Sequence, residues 1–177
     1  MPDIAADDAR PIILTADLDA SAHAWLDALR RAHFPRERNH LAAHLTLFHA
    51  VPAALAAQAE ADVRAEAEAV APMAGRAARW MPLGRGVAMA IEAPGLAALR
   101  SRLAGRWHEH LTPQDRGGFR AHVTVQNKVD VAVARALLGE LEATEPPRAV
   151  TVEALTLWRY DGGPWERMSR VPLGGAR

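Results

Sequence analysis

No cysteine occurs among the 177 residues. That excludes disulfides, zinc ribbons and thiol nucleophiles. Lysine is almost missing too: of 21 Lys and Arg residues only Lys128 is lysine. Arginine is therefore a compositional habit of the chain, as G+C-rich coding produces, and its mere presence says little. No apolar run approaches the ~20 residues of a membrane span. Residues 1–10 are acidic and polar, without the basic start and apolar stretch of a signal peptide. A cytoplasmic, monomeric protein without membrane contact is expected. Charge of one sign does not dominate either, with 21 acidic residues balancing the 21 basic ones. A coat on duplex DNA needs a basic surface that releases counterions, so that function is excluded, whereas a pocket for one phosphate is not.

What is present is a globular composition, 50% hydrophobic, of a length that suits one domain or two fused lobes. An order of elements is met twice. Residues 11–18 read as a strand, and Asp19 or Ser21 caps a helix running to about residue 33. Residues 44–49 alternate as a strand, Pro52 opens an Ala-rich helix to about residue 70, and 73–81 form a further strand. The second pass runs through a strand at 87–91, a helix from Pro94 to about residue 110, and a strand at 119–126. A helix capped by Asp130 and a strand at 150–160 complete it. Asp161-Gly162-Gly163-Pro164 signals a hairpin into a last strand at 165–171. The expectation is an α+β fold of two pseudo-symmetric lobes, each an antiparallel-rich sheet with helices on its outer face, around a central cleft. The chain, 1–177, is then one internally duplicated domain with half-repeats 11–85 and 86–177, between which strands can swap.

A His-x-Thr string stands at the same place in each pass: His44/Thr46 and His122/Thr124. Side chains two apart on a strand share a face. Imidazole and hydroxyl then point one way, and Leu45, Leu47, Val123 and Val125 the other. One such tripeptide carries no weight, because a strand histidine is usually structural and threonine favours strands anyway. Two at matching places carry a mechanism. Displacement at phosphorus needs the attacking and leaving oxygens roughly in line on opposite sides. One neutral imidazole takes a proton from the nucleophile, and an opposite imidazolium supplies one to the leaving oxygen. The threonine hydroxyls can donate to the non-bridging oxygens. Neither a metal nor a cofactor is required.

These residues resemble a known family. The strings His44-Leu45-Thr46-Leu47-Phe48 and Phe119-Arg120-Ala121-His122-Val123-Thr124-Val125 are similar to the paired motifs of the 2H phosphoesterase superfamily, in its 2′-5′ RNA ligase-like branch. Residues 157–165, ending Gly163-Pro164-Trp165, also resemble the ending of many members. The resemblance implies a metal-independent enzyme acting on 2′,3′-cyclic phosphates or 2′-5′ linkages of an RNA end or small nucleotide. His44 and His122 inherit the acid and base roles; Thr46 and Thr124 inherit phosphate contacts. Members often carry proline before the second motif, where Ala121 stands, and a basic residue two places after its threonine, where Gln126 stands. Lys128 is the first cation after it, and Arg120 is placed to compensate.

Further substrate contacts are expected from Phe48, which would share the face of His44 and stack on a base, and from Arg120, Gln126, Lys128 and Tyr160. Trp80, Trp107, Trp158 and Trp165 are read as packing, His49 as structural on the opposite face from His44, and Asp7-Asp8 as a solvated face. Two rival readings stand beside the enzyme: an inactive RNA- or nucleotide-binding module with the same pocket, and a metallohydrolase, for which no carboxylate-rich or His-x-His cluster accompanies the two motifs; His108 and His110 lack metal-ligand spacing on a helix.

Overall fold

The computed structural model describes residues 9–174, so the acidic start with Asp7-Asp8 lies outside the described residues. The strands are β1 (Ile12–Leu18), β2 (Leu45–Val51), β3 (Met73–Pro82), β4 (Val87–Glu92), β5 (His122–Gln126), β6 (Arg148–Arg159) and β7 (Glu166–Pro172). The helices are α1 (Ala20–His33), α2 (Ala56–Glu68), α3 (Pro94–Trp107), α4 (Pro113–Arg116) and α5 (Val131–Thr144).

Local chemistry accounts for most boundaries. Asp19 caps α1 by accepting the Ala22 amide at 3.0 Å, and its second oxygen takes the Thr151 amide at 2.8 Å, tying the cap to β6. Pro94 and Pro113 sit in the first turns of α3 and α4, where no amide hydrogen is needed. Asp130 stands at the N-cap of α5 but makes no side-chain cap bond. β5 starts at His122, later than the alternation suggests, and α3 ends at Trp107 in a 3-10 turn, His108–His110. The four-residue α4 has no signal beyond Thr112-Pro113.

All pairings are antiparallel. The sheet order is β1-β2-β5-β4-β3-β6-β7, and β1 also pairs with β6, so six strands close into a ring with β7 attached. The third strand of each half stands among the strands of the other. β3 lies between β4 and β6, and β6 lies between β3 and β1. The long β6 makes this possible: residues 148–152 pair with β3 and residues 154–159 with β7. The two lobes expected from sequence are thus stitched into one sheet.

The helices pack on this ring, α1 on β1 and β5, α5 on β3 and β4, α2 on β6 and β7. Leu26, Leu99, Leu103, Trp107, Val63 and Leu137 join the apolar strand residues in one core. Each fully buried aliphatic side chain there contributes about 1.5–3 kcal/mol. β1 is buried from Ile12 to Ala16; Ile12, Leu14 and Ala16 join the core cluster, whereas Thr15 and the half-buried Asp17 line a cavity that Ala16 also reaches.

Candidate active site

Both motifs lie on the seam between β2 and β5. The one registered pair across it is Leu45 with Val123. Continuing that antiparallel register sets His44 beside Thr124 and Thr46 beside His122, so each histidine neighbours the threonine of the other motif. The ladder goes no further, and the strands part. The four polar side chains, together with Ile13, His49 and Trp165, line a cavity of about 170 Å³. Among the described residues no carboxylate lines it. At roughly 30 Å³ per water molecule, it has room for a phosphate group with a few waters but not for a whole nucleotide.

The two imidazoles are held alike. His44 Nδ1 lies 2.8 Å from the Ala42 carbonyl, and His122 Nδ1 lies 2.7 Å from the Arg120 carbonyl. A carbonyl only accepts, so Nδ1 carries the hydrogen in both rings and Nε2 is left for chemistry. Burial pushes His44 below its ordinary value. The Ala42 carbonyl opposes this, and the nearby charges of Arg30, His49 and His122 add to it. His44 is therefore biased toward the neutral form.

Beyond each threonine the alternation breaks. Thr15 pairs with Thr46 but Leu14 with Phe48, one step on β1 against two on β2. Ala88 pairs with Thr124 but Val87 with Gln126, the same slip on β5. Each motif strand thus carries a β-bulge, with Leu47 and Val125 as the extra residues. Past the bulge the faces exchange. Phe48 and Gln126 turn into the core at 0% and 4% exposure, and His49 turns to the cavity. This corrects two expectations that rested on unbroken alternation, since Phe48 faces the core and His49 shares the side of His44, and one that rested on the resemblance, since Gln126 is buried; neither Phe48 nor Gln126 lines a cavity. Phe48 instead packs on Trp107, ring centroids 5.0 Å apart, with the Arg100 guanidinium 4.5 Å from its ring.

Two buried arginines serve the bulged strands. Arg30 of α1 donates to the Thr124 carbonyl at 2.9 Å and holds Asn39 Oδ1 and the Leu41 carbonyl. Arg100 of α3 donates to the Leu47 carbonyl at 3.3 Å and to the Asp115 carbonyl. A helix from each half therefore grips the motif strand of the other. Burial lowers both guanidinium pKa values, against the nearby carboxylates Asp27 and Asp115 respectively. His49 is anchored as well. Its Nδ1 lies 3.0 Å from Asp115 Oδ1, and the buried carboxylate also takes the His49 and Ala50 amides at 2.9 Å each. Burial alone would raise the Asp115 pKa; the hydrogen bonds from His49 and Ala50 outweigh it and hold the group below the usual range.

A sequence profile of the 2′-5′ RNA ligase superfamily matches residues 18–164, a span that includes both motifs. The chain belongs to the 2′-5′ RNA ligase superfamily. Solved structures agree in fold. TT0787 of Thermus thermophilus superposes with a TM-score of 0.61 at 19% identity, over 94% of this chain and 100% of that one. E. coli LigT complexed with 3′-AMP gives 0.58 at 20% identity, over 94% and 99%. A structure described as a phosphoesterase gives 0.55 at 19%, over 94% and 99%. No curated protein matches by sequence. Membership in this superfamily, that of the 2H phosphoesterases, makes the site a phosphoesterase- or ligase-type one.

Other residues singled out in the sequence of this superfamily member fall outside the small cavity. Arg120 is exposed ahead of β5; its carbonyl serves His122, and its side chain lines neither of the two cavities described. Lys128 is exposed in a turn at φ 62°. Tyr160 packs on Trp165, centroids 6.0 Å apart. Trp165, expected to pack, instead stands 4.9 Å from the His44 ring and lines the site; Trp158 is half-buried beside it. A third His-x-Thr, His110 to Thr112, lies in a 3-10 turn, and its threonine caps α4, so the tripeptide means nothing off the strand. Among the described residues no cluster of three His, Asp or Glu side chains is placed to hold a metal, and no helix is long and apolar enough to cross a membrane.

Proposed function

We propose that the chain is a phosphodiesterase that opens 2′,3′-cyclic phosphates at the ends of RNA or on nucleotides, without a metal, by two-histidine acid–base catalysis. One observation carries the reading: two imidazoles with Nδ1 tied to carbonyls line a single small cavity, flanked by two threonines and, among the described residues, by no carboxylate. His44, biased toward neutral, is the base in the hydrolytic direction. Its Nε2 takes a proton from water as the oxygen attacks phosphorus. The bond from phosphorus to the 3′ oxygen breaks, and His122 Nε2 protonates that oxygen, leaving a 2′-phosphate and a 3′-hydroxyl. Thr46 and Thr124 donate to the non-bridging oxygens as charge builds there. With a 5′-hydroxyl in place of water and the same histidine roles, the cyclic phosphate is joined to a second strand through a 2′-5′ linkage; exchange of the two roles runs that joining backward, the 3′-hydroxyl attacking the diester and the 5′ oxygen leaving with the proton. The LigT structures with 3′-AMP, NADP+ and ATP support a small nucleotide as the class of ligand.

The test is turnover of adenosine 2′,3′-cyclic phosphate, with the product identified by phosphorus NMR. His44→Ala and His122→Ala are each expected to lower kcat by about 10²–10⁴-fold with the fold retained. Turnover that survives either substitution, or nucleotide binding without any turnover, refutes the assignment; the latter leaves a binding module.

A further inference from the structure

A second cavity, of about 500 Å³, adjoins the first and shares His44 and Trp165 with it. Its volume is in the range of sites that hold a small organic ligand. Two observations say which ligand. The first is a row of three residues across adjoining strands. Ile13 on β1 pairs with Trp158 on β6, and Trp158 pairs with Arg167 on β7. Ile13 lines the small cavity, and Trp158 and Arg167 line the large one. The row therefore leads outward from the candidate phosphate site over two strand spacings, roughly 10 Å at the backbone. A ribose with a phosphate at each end, met by an arginine side chain, spans that gap.

The second observation is the state of the charges. Arg170 also lines the large cavity, but it is neutralised: its Nε lies 2.7 Å from Asp17, whose oxygens also accept the Thr156 hydroxyl. The Arg167 side chain makes no ion pair or hydrogen bond with any described residue, and only its backbone is engaged, in the ladder with β6. The remaining carboxylate in the lining is Glu153, five residues along β6 from Trp158. An unengaged guanidinium beside two indoles, Trp158 and Trp165 at 5.9 Å between centroids, fits a base to stack and a phosphate to grip.

We propose, resting on the function above, that the larger cavity holds the nucleoside bearing the cyclic phosphate, and that Arg167 binds the phosphate on its 5′ side. The preferred substrate is then a cyclic-phosphate ribose that carries a second, 5′ phosphate, as a monoester in a nucleotide or a diester in an RNA chain. Arg167 is a specificity residue and takes no part in proton transfer.

The experiment compares kcat/KM for adenosine 2′,3′-cyclic phosphate with and without a 5′-phosphate. The wild-type protein should favour the 5′-phosphorylated form tenfold or more. Arg167→Ala should bring that ratio close to one, and Arg167→Lys, a point charge without the fork, should restore part of it. A ratio near one in the wild type, or one that persists in Arg167→Ala, overturns the proposal. The dinucleotide ApA with a terminal 2′,3′-cyclic phosphate separates the sources: an advantage at least equal to the monoester's assigns an RNA end, and an advantage confined to the monoester assigns a free nucleotide. Should no substrate turn over, the catalytic reading fails by itself, and tryptophan fluorescence titrations with 5′-AMP and adenosine decide the cavity. Arg167→Ala must then weaken 5′-AMP selectively; equal weakening of both ligands, or of neither, removes the assignment.

Discussion

His49 and Asp115 form a buttressed pair: the histidine lines the phosphate-sized cavity, and the carboxylate behind it is 1% exposed and bonded to its ring and its amide. Asp115 fixes Nδ1 as the donor, so His49 presents Nε2 to the cavity as His44 and His122 do. His49→Ala is expected to lower kcat/KM for cyclic nucleotide by about 10²–10³-fold, the range of removing one donor to developing charge. Asp115→Ala should give a similar loss and also destabilise the fold by several kcal/mol, because the amides of His49 and Ala50 lose their acceptor. Steady-state kinetics with circular dichroism melting separate the two effects. Since the Asp115 pKa is depressed in the fold, its stabilising contribution is present above the unfolded value of 3.8 and is lost as pH falls through the folded one.

The acid limb of turnover should lie low. Burial, with the charges of Arg30, His49 and His122, holds His44 below 6.5, so its neutral form survives to lower pH than in the unfolded chain. The same depression makes stability complete above pH 6.5 and draws it down as pH falls from there toward the folded value. A bell-shaped kcat/KM profile is expected with its acid limb below pH 6.5, and His49→Gln should move that limb upward. An acid limb at or above pH 6.5 in the wild type contradicts the assignment of His44 as base.

Gln126 occupies on β5 the place that Phe48 occupies on β2, directly after a bulge, and its buried Oε1 has no hydrogen-bond partner. An unsatisfied buried acceptor costs about 1–3 kcal/mol. Gln126→Met keeps the length and removes the polar group, so the unfolding midpoint in urea should rise by an amount equivalent to about 1 kcal/mol. A fall in stability, or a selective loss of substrate affinity, would mean that the amide has a use that its burial conceals.

Two glycines should respond with opposite signs. A Cβ on Gly86 would fall 2.0 Å from the Gln126 carbonyl oxygen and 2.6 Å from Asn127 Cα, both backbone, where β4 and the end of β5 close on each other. Gly86→Ala should cost about 1–3 kcal/mol or more. Gly139 lies within α5 with nothing within 4 Å of an added Cβ, and Gly139→Ala should stabilise by about 0.5–1 kcal/mol. Denaturant unfolding of both variants checks the pair.

Much of this could be read from the residues alone. Apolar alternation and capping residues marked every strand and the four long helices, because each is dictated by near neighbours in the chain. The paired motifs marked His44, Thr46, His122 and Thr124 for the same reason. What escaped was anything set by cross-strand register. The bulges at Leu47 and Val125 leave no local mark, since Leu and Val are ordinary strand residues; they exist because β1 and β4 each offer one residue fewer. They moved Phe48 and Gln126 out of the site and His49 into it. Trp165 escaped similarly, because only the fold of the hairpin before β7 swings it over His44. One local clue was available: His49 followed by Ala50-Val51-Pro52 breaks the apolar rhythm of β2, as a half-exposed histidine after a bulge would.

A sheet joined end to end into a ring has no gape. The two arcs of the ring, β2-β1-β6-β7 and β5-β4-β3, are fastened at two places, the single Leu45–Val123 contact and the five-residue ladder of β3 with β6, and neither can part without losing backbone hydrogen bonds that nothing nearby would replace. For the proposed reaction the jaw is therefore fixed. The spacing between the two imidazoles is inherited from the hydrogen-bonded frame, so substrates are sorted at the mouth by size and charge and not by how well they pull the enzyme shut.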